Sequence, residues 1–126
     1  MSPSRIPALA LAADVVAVVV FAAIGRLNHD ASGELLGFLG TVAPFALGLL
    51  VAWASPAVRA NPAGLRAGAL VLAGTAVIGL ALRAAFTDRL PLTFAVVTVI
   101  VLGVLMLGWR ALSTAISRTT AHRPLR

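Results

Sequence analysis

Residues 6–24 read IPALALAADVVAVVVFAAI, nineteen residues with a single ionisable side chain, Asp14. A stretch of that length, at about 1.5 Å per residue, is enough to cross the roughly 30 Å hydrocarbon core of a bilayer. Three more runs follow at comparable length, residues 35–53, 65–82 and 92–112. A membrane β-barrel would show short segments of alternating polarity, and none of the four runs alternates, so each reads as a helix that satisfies its own backbone. The Val-rich pieces 15–20 and 96–101 favour strands in water, but in hydrocarbon the backbone's need for internal hydrogen bonds overrides that preference. The first run follows Arg5 and has the outline of a secretory signal. It is longer than the usual apolar segment of one, carries Asp14 and lacks a small-residue cleavage site, so it is read as a span.

Composition agrees. Of the 126 residues 60% are hydrophobic and 11% charged, against about 45–50% and 25% in soluble domains. A small soluble domain has too little interior to hide that much apolar surface. The formal charge of +6 comes from ten arginines spread singly between apolar runs, which argues against a nucleic-acid interface. The absence of cysteine excludes disulfides and thiolate chemistry.

The expected fold is therefore all-α, an integral membrane bundle of four antiparallel helices in residues 1–112 with a short basic tail at 113–126. The connections, residues 25–34, 54–64 and 83–91, are short enough to make neighbours antiparallel. Arg5, Arg59, Arg66, Arg110, Arg118, Arg123 and Arg126 then share one side, against Arg26, Arg83 and Arg89 on the other. Seven against three places both termini in the cytoplasm, with the chain in the inner (plasma) membrane. Trp53, Trp109 and Arg110 are expected as interfacial anchors. Phe38 and Trp53 are 15 residues apart, as are Phe94 and Trp109, a faint duplication between the second and fourth spans.

Asp14 is the most informative residue. Counted from the start of its span it falls near the membrane middle, where a carboxylate costs at least about 2.5 kcal/mol and needs a partner, water or a proton. With no arginine assigned to that depth, the candidate partners are Thr41, Thr75, Thr98 and the Gly40 carbonyl, freed by Pro44 four residues on. Neutral partners suit a protonated carboxyl, so Asp14 is expected to be neutral unless a cation or water reaches it. Asp14, Val18, Phe21 and Gly25 form one helical stripe that can turn inward. An ion or substrate site and a structural hydrogen bond both fit this group.

A second cluster, Arg26, His29, Asp30 and Arg83, is expected at the outer mouth of the bundle. A simple polar cap with the two arginines at helix ends is the first reading of it, an ion-attracting or pH-sensing mouth the second, and catalysis the last. His29 beside Asp30 lacks a nucleophile, and no phosphate loop, metal-ligand spacing or nucleophile elbow occurs. No catalytic residue, metal site or cofactor is assigned.

With these residues in view, the chain resembles the bacterial four-helix membrane family known as domain of unknown function 3054. The resemblance rests on Asp14, on Phe21 with Gly25-Arg26 and His29, and on Thr41 with Pro44-Phe45. It continues with Gly79 and Arg83, and with Phe94 and Gly108-Trp109-Arg110. It runs from Asp14 to Arg110 and implies that these polar residues belong to one shared pattern, without supplying an activity. Three classes of function remain, in descending order: a small transporter or channel, an accessory or structural subunit of a larger complex, and a membrane enzyme. The partners are the lipid bilayer and a second copy or other membrane proteins.

Overall fold

The computed structural model describes residues 6–28, 35–87 and 91–121. They form an all-α protein of five helices: α1 (Ile6–Asn28), α2 (Leu35–Trp53), α3 (Pro56–Ala60), α4 (Leu65–Thr87) and α5 (Leu92–Ala121). Three segments, Ile6–Gly25, Leu65–Phe86 and Leu92–Ser117, are long and apolar enough to cross a membrane. In α2 the corresponding apolar stretch among the described residues is Leu39–Trp53.

The long helices close into a ring in which α1 touches α2, α2 lies along α4, α4 along α5, and α5 returns to α1. Small residues set the closest of these approaches. At Gly48 on α2 an added Cβ would stand 3.0 Å from the carbonyl oxygens of both Gly74 and Thr75 on α4, and at Gly74 one would stand 2.8 Å from the Ala52 Cβ. Large apolar side chains remain outside, among them Leu50, Val77, Ile100 and Val104, each more than half exposed. An outward apolar surface of that kind matches a lipid environment.

Three helix ends differ from the sequence reading, the first being α1, which runs past the expected residue 24 to Asn28. The helix expected to end at Leu112 runs on to Ala121, because residues 113–121 contain neither Gly nor Pro and alanines recur among them. The helix expected to end at Leu82 continues to Thr87 and so carries Arg83 within it. Between α2 and α4 the chain makes the short helix α3, begun by Pro56, whose missing N–H costs nothing in a first turn. α3 packs against α4 and α2, so this connection folds back over the end of the ring.

Candidate functional site

α1 turns Asp14, Val18 and Phe21 inward as one stripe, and all three are buried. Asp14 does not meet the threonines. Its carboxylate receives the guanidinium of Arg110 as a fork, Nη1 donating to Oδ1 at 2.8 Å and Nη2 to Oδ2 at 2.7 Å. Two indoles complete it: Trp109 Nε1 donates to Oδ1 and Trp53 Nε1 to Oδ2, each at 2.9 Å. Each oxygen thus accepts two donors, the arrangement of an ionised carboxylate. The expectation of a neutral Asp14 held only while no cation reached it, and the cation is Arg110.

Arg110 is fixed from its other side as well. Its Nε donates to the Pro62 carbonyl at 2.9 Å and its Nη1 to the Met106 carbonyl one turn back at 3.2 Å. The guanidinium lies 4.4 Å from the Trp109 ring centroid, close enough for a cation–π contribution. Room for its stem comes from Gly68 on α4, where a Cβ would stand 2.6 Å from Arg110 Cδ. Both ions are fully buried. Removing two such charges from water costs several kcal/mol each, which only near-ideal geometry offsets. The bidentate, charge-assisted bonds and the two indole donors supply that geometry.

The cluster also corrects the depth assigned to Asp14. Trp53 is the last residue of α2, and Pro62 lies in the connection before α4, so the ion pair sits at the level of that connection. α1 extends from residue 13 back to Ile6, and α5 from residue 111 to Ala121, past this level. Trp53, Trp109 and Arg110, expected as interfacial anchors, all donate to Asp14; Trp53 and Arg110 are buried, at 8% and 0% exposed, and Trp109 is half-buried.

The other expected partners are distributed elsewhere. Thr98 Oγ1 donates to the Phe94 carbonyl of its own helix at 2.7 Å, and Thr41 Oγ1 accepts from Arg83 Nη1 at 3.4 Å. Thr75 Oγ1 is buried without a hydrogen-bond partner among the described residues. Pro44 is buried inside α2, while Gly40 is exposed. Of the expected outer cluster, only Arg83 has a described side chain, and its guanidinium lies 5.3 Å from the centroid of Phe94. His29, Asp30 and the side chain of Arg26 lie outside the described residues. Between this arginine and the ion pair, Phe21, Phe45 and Phe94 pack with centroids 5.0 to 6.3 Å apart.

The match to the family model of a protein of unknown function, DUF3054, covers residues 11–113. The chain belongs to the DUF3054 family. That stretch contains every member of the ion-pair cluster, from Asp14 to Arg110, and leaves out the last helical residues of α5. No curated protein and no solved structure matches the chain. DUF3054 membership brings no activity with it, so function has to be argued from the site. What reading the sequence missed there is the joint role of the two indoles. The one signal was the equal spacing of Phe38 to Trp53 and Phe94 to Trp109, which put two tryptophans at equivalent positions on α2 and α5.

Proposed function

We propose that this DUF3054 protein spans the inner (plasma) membrane four times, with neighbouring spans antiparallel and both termini cytoplasmic, and that it works as a small transporter or channel whose cytoplasmic end is closed by the Asp14–Arg110 clasp. The observation that carries this reading is the clasp itself. Replacing a buried ion pair with well-packed apolar residues is often neutral or stabilising, and the best-attested uses of such pairs are to fix register or to switch. Here the pair ties α1 to α5, with a further donor to Asp14 from α2, so opening it frees α1 from both helices at this end of the ring while Arg110 stays bonded to the Pro62 carbonyl.

A gate must open, and the two indole N–H groups report opening. In lipid nanodiscs, Trp53 and Trp109 Nε1–H are expected to exchange with deuterium together, and faster than the amides at the middle of α5. Indoles among the slowest-exchanging groups of the protein would sink the gate. A second reading is favoured by the fact that each Asp14 oxygen accepts two hydrogen bonds: a permanent lock in an accessory subunit. Its own mark is a stoichiometric partner, or a second copy, retained through mild detergent purification from native membranes.

Orientation has a separate test. Arg110 is neutralised inside the bundle, which leaves six cytoplasmic arginines against three, and the bias keeps its direction. The chain has no cysteine, so single cysteines can be placed without background. A cysteine at Asn28 is expected to react with an impermeant reagent from outside the cell and one at Ser117 only after lysis; the reverse pattern would invert the topology.

A further inference from the structure

The donors around Asp14 are arranged as a receptor for a carboxylate, and Arg110, which supplies two of the four, has ties that do not involve Asp14. Arg110 is tethered by the carbonyls of Pro62 and Met106, lies against the Trp109 ring, and has its stem fitted over Gly68. Trp53 and Trp109 are carried on α2 and α5. What these residues offer is four N–H groups converging on two oxygens at 2.7 to 2.9 Å. That pattern fits a planar carboxylate. A halide has one centre, and a sulfate carries two further oxygens and a second negative charge for which these four donors provide no partner.

We propose that Trp53, Trp109 and Arg110 form a binding site for a small organic monocarboxylate, which Asp14 occupies from within the chain while the clasp is closed. The inference builds on the gate reading by naming the class of anion that replaces Asp14 when α1 moves away. Asp14 holds the site through its tether: an attached carboxylate acts at an effective concentration that a free anion does not match, so the free anion binds only when the tethered group is removed or withdrawn. The vacated cradle would otherwise hold a buried guanidinium with no counter-charge, which is the condition a free carboxylate relieves.

The test is rescue. Asp14→Ala is purified in mild detergent and heated in formate, acetate, chloride or sulfate at equal ionic strength. Formate and acetate are expected to raise its melting midpoint by roughly 4 °C or more at saturation, and chloride and sulfate are not. The same anions are expected to shift both indole Nε1–H resonances saturably in Asp14→Ala, with a far smaller response in the wild-type protein. Equal effects of all four salts, or unmoved indoles, would overturn the site. Should Asp14→Ala fail to fold, Asp14→Ser takes its place, since its shorter side chain still leaves the cradle open to formate; indoles there that ignore formate overturn the proposal equally. Rescue together with slow indole exchange in the wild type would keep the receptor and discard the gate. Fast exchange without rescue would do the reverse.

Discussion

Arg110→Ala is expected to destabilise the protein by about 3–5 kcal/mol, because it strands a buried carboxylate with two indole donors and no counter-charge. It also removes the donors to the Pro62 and Met106 carbonyls, so the connection over the end of the ring loses its tie. Arg110→Lys keeps a charge but not the fork, and should recover only part of the loss. The decisive comparison is the double variant Asp14→Leu with Arg110→Met. It removes both charges at once and should cost at least about 2 kcal/mol less than the two single losses added together, since each single variant includes the penalty of the ion it leaves behind. It should still fall short of the native protein, because the indoles of Trp53 and Trp109 and the Pro62 carbonyl are left without their partners. Reversible unfolding in mild detergent measures all of these. Strictly additive losses would mean that the two residues do not act as a pair.

How much of this was legible in the sequence divides by the kind of signal. The all-α character and the starts of all four long helices follow from run length and hydropathy, which act within a single segment. Asp14 facing inward was legible too, since Val18 and Phe21 share its stripe and a charge cannot face hydrocarbon without cost. The short helix α3 was not, because five residues begun by Pro56 carry no periodicity to read.

The partner of Asp14 was hidden for a geometric reason. Depth was counted from the ends of apolar runs as though every helix began and stopped at the same plane. In the structure α1 and α5 both overshoot the ring at the end where the α2–α4 connection lies. Counted from Trp53, the last residue of α2, Asp14 and Arg110 stand level, whereas counting from Ile6 and Leu112 assigns them different depths. The identity of the two tryptophans was similarly masked. An indole near a span end is ordinarily an interface anchor, and only the shared carboxylate reveals that this pair was placed to donate inward. The threonines Thr75 and Thr98 were plausible on depth alone, but Thr98 satisfies its hydroxyl on its own helix, a local bond that always competes with a distant acceptor.

The aromatic cluster midway along the ring gives the second large effect. Phe45 is fully buried, edge-on to Phe21 with centroids 5.0 Å apart, and its ring lies directly over Gly79 of α4. Phe45→Ala is expected to cost about 3–5 kcal/mol through lost contacts and the cavity left among Phe21, Phe94 and α4. Gly79→Ala should also destabilise, by about 1–3 kcal/mol, although alanine is the better helix former, because three atoms of the Phe45 ring would stand within 2.8 Å of the new Cβ. The ring has no easy retreat, with Phe21 on one side and Phe94 6.3 Å away on another. Combining the two changes removes the ring that the methyl would strike and places that methyl in the vacated space. The double variant should therefore be more stable than the sum of the single losses predicts, and no less stable than Phe45→Ala alone. A Gly79→Ala protein as stable as the native one would show that α2 and α4 are not in contact at this layer, and would remove the close approach on which the ring's packing at this level depends.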